Sequence, residues 1–511
     1  MSEALNATEY LLDRRLEAGD GGRVAINHEG RDWTYDQVAE LTAAVAAALH
    51  RTGVRPEERV LQVMVDGPEF VATFLGAMRL GAVAVPVSTM LTGAELGFIA
   101  ADARARVAVI SGEFAALAER IAAAAPELTD LVMVGAGTPA LPARVRLHRF
   151  AEWAVPAPAP PTYATWADSP AFWLYTSGTT GQPKAAMHRH ADLPFTAERY
   201  GQPVLGIGPQ DRCFSVARLF FAYGLGNGLT FPFAVGATSI LASAPPTPAR
   251  VAALVREQRP TLFFAVPSFY AAILAADLPE DTFASVRHGV SAGESLPAPV
   301  FHRFRDRFGV EILDGIGSTE VLHIFISNRA GEIRPGTSGR VVEGYEARLV
   351  DDDGAAVGDG EPGHLLVRGE SVATGYWCRT AVTRRTFEGE WVRTGDVYVR
   401  DREQVFTHAG RSDDMLKVGG IWVSPTEVES TLLEHPDVME AAVVSEPDAD
   451  QVPQPVAYVV PAPGRTVDPQ ALIDFCRQRM AAFKRPRRVL VVEALPKTAT
   501  GKIQRYRLRG G

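Results

Sequence analysis

The ten residues Tyr175-Thr-Ser-Gly-Thr-Thr-Gly-Gln-Pro-Lys184 constrain this chain more than any other stretch. They follow an apolar run, Ala171-Phe-Trp-Leu174, which reads as the buried end of a strand. Seven of the ten are Ser, Thr, Gly or Pro, the composition of a turn. Their content goes beyond what a turn needs. Gly178 and Gly181 let backbone N–H groups approach an anion. Thr176, Ser177, Thr179 and Thr180 add hydroxyl donors, and Lys184 adds a mobile positive charge. The run therefore predicts a loop that wraps a polyphosphate. It is not a Walker A loop, because Pro183 precedes Lys184 and Ala185 follows it.

The 511 residues leave room for two or more domains. A hydrophobic share of 47% and a charged share of 22% are those of a globular protein. The net charge of −9 argues against a general nucleic-acid binder, so an anionic ligand has to be met by local positive charge. Cys213, Cys378 and Cys476 form no metal or redox spacing, which fits a reducing, cytoplasmic setting. The N-terminus carries no basic region followed by an apolar core, so no signal peptide is read. Leu219 to Ala249 lacks charge, but Gly, Pro, Asn and hydroxyl residues break it too often for a lipid-exposed span. It reads as buried core and pocket wall.

Strand and helix patterns alternate through residues 1–170: a helix from Asp36 to His50 capped near Thr34, a strand from Arg59, a helix from Pro68 to Arg79, and strands at 81–87 and 107–110. This rhythm predicts a first α/β unit with a parallel sheet. A Pro-rich linker near Ala154–Pro161 precedes a second such unit at 171–340. Within it, Ser291-Ala-Gly-Glu294 and Asp314-Gly-Ile-Gly-Ser-Thr-Glu320 read as Gly-rich turns at the carboxyl ends of strands, where open α/β sheets bind ligands. Residues 341–410 change to short antiparallel strands with hairpin turns, a small β-barrel-like subdomain. After Arg411 a compact α/β unit begins.

These motifs, in this order, resemble the adenylate-forming superfamily of acyl-CoA ligases, carrier-protein adenylation domains and luciferases. The superfamily's phosphate loop reads YTSGTTGxPKG, and this chain departs from it at Ala185. The resemblance implies a large N-terminal domain, 1–412, and a small mobile C-terminal domain, 413–511. It implies that Asp314, Gly315, Ile316 and Gly317 line adenine, with Ser291, Ala292, Gly293 and Glu294 as a second adenine-side loop. Thr319 would reach the α-phosphate, and Glu320 with Thr176 would hold Mg²⁺. Asp396, in Trp391-Val-Arg-Thr-Gly-Asp396, would accept the ribose hydroxyls, and Arg411 would bond ribose or phosphate. The C-terminal domain would swing about Asp413 between two half-reactions, with Gly419 and Gly420 lining a tunnel for the CoA thiol. Lys502, in Leu495-Pro-Lys-Thr-Ala-Thr-Gly-Lys-Ile-Gln504, would bridge carboxylate and α-phosphate during adenylation. The cluster Lys484-Arg-Pro-Arg-Arg488 reads as a solvated face.

Phe220-Phe-Ala-Tyr-Gly-Leu-Gly-Asn227 and Gly317-Ser-Thr-Glu-Val-Leu-His-Ile324 resemble the benzoate-CoA ligase branch. The matching positions, Ala222, Tyr223, Gly317, His323 and Ile324, would form a narrow slot for an aromatic ring. No Asp lies between Arg212 and Arg250 to meet an amino acid's ammonium group. The expectation is a ligase that uses ATP, Mg²⁺ and CoA to convert an aryl carboxylate to its CoA thioester. Its partners would be small molecules, with neither nucleic acid nor membrane, and it would act as a monomer or a homodimer. Three other readings remain beside it: an enzyme loading an aryl acid onto a carrier protein, a ligase for another small carboxylic acid, and a nucleotide-binding protein without turnover.

Overall fold

The computed structural model describes residues 3–156, 158, 160–177, 182–412, 416–418, 421–447, 453–481, 484–497 and 503–508. Local signals act as the sequence predicts. Thr34 caps the helix Tyr35–Arg51, with Gln37 closing the capping box, and Thr92 and Glu95 do the same for Gly93–Asp102. Helix Pro68–Arg79 is apolar around most of its circumference and is correspondingly buried from Phe70 to Met78.

Two large sheets and a smaller antiparallel one form the large N-terminal domain, and the chain exchanges segments between the two large sheets. One sheet takes Arg59–Val63, Val83–Pro86, Ala105–Ser111, Asp130–Val134 and Arg146–Arg149 in parallel. It is completed by Pro170–Ser177 and, antiparallel at the edge, Pro183–Arg189. The other runs from Arg212–Ser215 through Leu262–Ala265, His288–Ser291 and Ile312–Gly317. The hairpin Val24–His28/Arg31–Thr34 joins this second sheet, beside Thr238–Leu241. The expected division into units at residue 170 is therefore corrected: the first hairpin belongs to the later sheet and the phosphate hairpin to the earlier one. Hydrophobic patterning fixes which face of a strand is buried, but not which sheet accepts it. The apolar stretch after Leu219 is core as expected, with Leu229, Phe231 and Phe233 fully buried.

A second correction concerns Asp314 to Gly317. These residues continue the strand Ile312–Gly317 and pair antiparallel with Ile324–Ser327, and the turn begins only at Ser318. Residues 341–410 form a five-stranded antiparallel sheet built on Tyr345–Val350, Pro362–Gly369 and Trp391–Arg400. The small C-terminal domain has its own core of Val428, Leu432, Val443, Ala457 and Leu472. There the helix Pro425–Leu433, capped by Ser424, and the helix Pro469–Arg477 flank the strands Val438–Pro447, Pro453–Pro461 and Arg488–Val491. No helix among the described residues is long and apolar enough to cross a membrane.

Candidate active site

A cleft of about 800 Å³ opens between the two domains. Thr176 and Lys184 reach it from the phosphate hairpin, where the two residues pair across adjacent strands. Ala185 follows in the strand, fully buried and paired with Tyr175. The departure from the usual glycine thus falls in the strand, where a methyl group packs into the core. The segment around Tyr376 runs along the outer edge of this strand. Met187 donates its N–H to Gly375, Trp377 donates to Ala185, and Ala186 bridges to Tyr376. Asp102 fastens the same segment, accepting from Tyr175 Oη at 2.8 Å and Arg379 at 2.7 Å, while its carbonyl accepts from Trp377 Nε1. Tyr376 is thereby set over Lys184, whose Nζ lies 3.8 Å from the ring centroid, a cation–π contact.

Tyr376 Oη also donates to Glu320 Oε1 at 2.6 Å. Burial, and then the Glu320 charge, push the Tyr376 phenol far above its ordinary range, so it stays a donor. Burial lowers the Lys184 ammonium; Glu320 opposes this, whereas Arg411 and Arg385 reinforce it. Lys184 thus shares this part of the cleft with two further cations, Arg411 and Arg385, and with the Glu320 carboxylate. Glu320 stands on a tight turn at Thr319–Val321 that is gripped at successive carbonyls. His188 Nε2 lies 2.8 Å from Thr319 O, Ala373 N donates to Glu320 O, and Ser371 Oγ donates to Val321 O.

Gly293, Glu294, Gly315, Ile316, Gly317 and Thr319 also line the cleft. Asp314 does not: its carboxyl is buried, accepts from Leu296 N at 3.4 Å, and is raised far above the usual carboxylate range by burial. Ser291, fully buried, and Ala292 sit behind the cleft wall, and Ser177 ends its strand beside Thr176. Asp396 and Arg411 face the cleft as a pair, 3.2 Å apart, with His408 Nε2 3.6 Å from the same carboxylate oxygen. From the C-terminal domain come Met439, Lys497 and Arg505. Ile503 N donates to Glu294 Oε1 at 2.9 Å, so this domain touches the loop that follows the strand His288–Ser291. Gly178, Thr179, Thr180, Gly181, Asp413, Gly419, Gly420 and Lys502 lie outside the described residues.

The residues expected around an aromatic ring gather at the carboxyl end of the strand Ile312–Gly317, of which Gly317 is shared with the cleft. A Cβ at Gly317 would come 2.6 Å from His323 O, and one at Gly226 would come 2.4 Å from His323 Cδ2. Both positions need glycine for His323 to lie where it does. Its ring is enclosed by Tyr200, Tyr223 and Phe231 at centroid distances of 5.2, 5.7 and 4.5 Å. Burial pushes the imidazole down to about 3, so it is neutral at pH 7. Nε2 faces Tyr223 O at 3.4 Å. Tyr223 Oη donates to Val290 O at 2.9 Å, which commits the hydroxyl proton inward. Ala222 is half-buried and Ile324 fully so. This end carries aromatic and aliphatic walls and no net charge.

Among the described residues, no group of three or more His, Cys, Asp or Glu side chains is disposed to hold a metal by itself. Glu320 and Thr176, both in the cleft, offer a carboxylate and a hydroxyl. Such an all-oxygen set suits Mg²⁺, which keeps much of its shell for phosphates and water. The cluster at Lys484–Arg488 is ion-paired surface, with Lys484 on Glu427 at 2.7 Å and Arg488 on Glu446 at 2.6 Å. Tyr376, His188, Arg385 and His408 escape the sequence reading. Gly375-Tyr-Trp377 has no diagnostic spacing; what distinguishes Tyr376 is its contact with a strand about 190 residues earlier.

An AMP-binding enzyme family model matches residues 13–377. The chain belongs to the AMP-binding enzyme family. A model of that family's C-terminal domain matches residues 427–502. Among curated relatives, the benzoate–CoA ligase of Thauera aromatica is 46% identical over 99% of this chain and 96% of its own length. Among solved structures, the anthranilate CoA ligase AuaEII in complex with anthranoyl-AMP has a TM-score of 0.94 at 42% identity, covering 99% of this chain and 97% of that one. A benzoate CoA ligase from Burkholderia xenovorans LB400 has a TM-score of 0.90 at 43% identity, covering 99% of both chains.

Proposed function

We propose that this chain is an aryl-CoA ligase that activates benzoate or a substituted benzoate with ATP and passes the acyl group to CoA. The observation that carries the reading is the joining of two unlike environments at Gly317. On one side lies a charged cleft in which Lys184, Arg411 and Arg385 stand with Glu320 and Asp396, and on the other an uncharged cluster of aromatic rings around His323. A carboxylate ligand with a flat apolar body would rest its ring in the slot and bring its oxygen to the cleft. The relatives named for benzoate and anthranilate support the same class of acid.

In the first half-reaction a carboxylate oxygen attacks the α-phosphorus of ATP, and the bond to pyrophosphate breaks. Lys184 and Arg411 would neutralise the charge gathering on the phosphates, Thr319 would orient the α-phosphate, and Asp396 would hold the ribose. Glu320 and Thr176 would hold Mg²⁺, which when bound would supply further charge neutralisation to the phosphates. Lys502 would bridge carboxylate and α-phosphate. In the second half-reaction the CoA thiol sulfur attacks the acyl carbon and AMP leaves with the electrons of the broken C–O bond. The thiol proton passes to solvent. No side-chain nucleophile is required; positioning and charge stabilisation carry the reaction.

The assignment includes a division at 412/413, a hinge at Asp413 and a thiol tunnel past Gly419 and Gly420. Contact of Ile503 with Glu294 supports a domain arrangement suited to the first half-reaction. Asp413→Pro is expected to block one half-reaction and spare the other; equal loss in both rates would remove the hinge. Cysteines that form no disulfide fit a cytoplasmic enzyme. The deciding experiment is pyrophosphate release from ATP with a panel of benzoates and aliphatic acids, with and without CoA, and mass detection of the product. CoA-dependent formation of an aryl-CoA supports the reading. Acid-dependent release without a CoA thioester would transfer it to carrier-protein loading, and a preference for aliphatic acids would overturn the slot.

A further inference from the structure

His188 is fully buried, four residues beyond Lys184 on the strand Pro183–Arg189, and points to the same face of it. Phe172 stacks on its ring at a centroid distance of 5.1 Å and 12° between planes. Each ring nitrogen has a partner at 2.8 Å. Nδ1 meets Asp192 Oδ2, also fully buried, and Nε2 meets the carbonyl oxygen of Thr319. Asp192 further accepts the Arg189 backbone N–H and side-chain Nε, both at 3.1 Å. Both of its oxygens therefore already act as acceptors, and a backbone carbonyl can only accept. A neutral imidazole has one N–H and would turn a lone pair on one of these oxygens at hydrogen-bond distance. A ring that donates from both nitrogens satisfies both.

We propose that His188 is a positioning residue for adenylate formation, protonated on both ring nitrogens and bolting the Thr319–Glu320 turn to the strand that carries Lys184. The proposal rests on the aryl-CoA ligase reading for its reaction, although the state of the ring does not. The clamp has a reason to exist. Thr319 and Glu320 stand on a turn of three residues that is followed by Leu322 at a φ of 71°, backbone that cannot hold itself in place. Ala373 N holds Glu320 O and Ser371 Oγ holds Val321 O, and the bond from His188 is what ties the first residue of the turn, Thr319, directly to the strand of Lys184. Charged groups around the ring balance. Asp192 and the Arg189 guanidinium lie beside it, Asp168 pairs with Arg189 at 2.8 Å, and Tyr345, which feels Asp192, has its hydroxyl bonded to Ser371 at 2.7 Å.

The test starts with ¹⁵N-histidine-labelled full-length protein at neutral pH, with His188→Asn identifying the His188 signals. Two N–H-coupled ring nitrogens are expected, and a single protonated nitrogen overturns the clamp. Asp192→Asn should remove the proton from Nδ1 and leave the one on Nε2. The half-reactions are then separated as benzoate-dependent ATP–pyrophosphate exchange and thioester formation from supplied benzoyl-AMP. His188→Asn keeps a donor toward Asp192 but cannot reach Thr319 O. It is expected to slow exchange on the order of 10- to 100-fold and leave thioester formation unchanged. His188→Gln, whose amide nitrogen stands near the Nε2 position, is expected to recover part of that loss. Equal losses in both half-reactions, or no recovery by Gln, would reduce His188 to a packing residue. If the wild type exchanges with no aryl acid, the ligase reading falls, and the ring signals still decide whether the clamp exists.

Discussion

Lys184 and His323 occupy the two ends of one proposed site, and burial pushes both toward their neutral forms. At the cleft end the push is resisted. Glu320 favours the ammonium, the Tyr376 ring faces it, and the opening is wide enough for water. At the slot end three aromatic rings enclose the imidazole, and its Nε2 contact is a long one to a carbonyl. One basic group is kept as a charge and the other is emptied of it. The difference teaches that a partner carboxylate and access to solvent, rather than residue type, decide whether a buried base can meet an anion.

The largest expected effect tests the charged end. Lys502→Ala is expected to lower aryl-AMP formation on the order of 10²- to 10³-fold while sparing thioester formation from preformed aryl-AMP, measured as separate half-reactions. Unimpaired adenylation would remove the bridging role from Lys502. Next comes the joint between the ends. Gly317→Ala forces a methyl group 2.6 Å from His323 O, and about 1–3 kcal/mol of stability should be lost, read by denaturant unfolding, together with a raised KM for the acid. A normal KM would separate Gly317 from the slot.

The neutral end has a pH signature. His323 is held at about 3 in the fold against 6.5 unfolded, so its stabilising contribution is complete above 6.5 and lost as the pH falls below it. From pH 6.5 to pH 5 this amounts to about 2 kcal/mol, and His190, held at about 4, adds in the same direction. Thermal melting against pH should show the slope, and His323→Gln should flatten it. Tyr376→Phe removes a donor to Glu320 and should slow adenylation about tenfold, with little change in the thioester step. The smallest effect is Tyr223→Phe. It removes one of the two phenols that donate to Val290 O, Tyr270 being the other, and should cost about 1 kcal/mol or less in stability with benzoate activity retained. A large loss of activity would mean that the hydroxyl touches the acid.

Much of the cleft was legible because its residues are neighbours in the chain. Thr176 and Lys184 lie on one hairpin, Gly315 to Glu320 on one strand and turn, and Gly293 with Glu294 on one loop, so composition and order suffice to group them. The cap at Thr34 was legible for the same reason. What was not legible depends on pairings between distant segments. The glycines after Asp314 read as a turn because glycine favours turns. They are strand because the partner strand Ile324–Ser327 comes too close for side chains.

Residue type and local spacing alone set the two-domain α/β plan and the hairpin that carries Thr176 and Lys184, and they leave residues 213–249 without an Asp. Tertiary structure decided which sheet each hairpin joins, that Asp314 turns into the core, that Tyr376 stands between Lys184 and Glu320, and that His188 grips Thr319. Hydrogen bonds and burial act through space, and an isolated His, Tyr or Asp carries no mark of its partner until the chain has closed the distance.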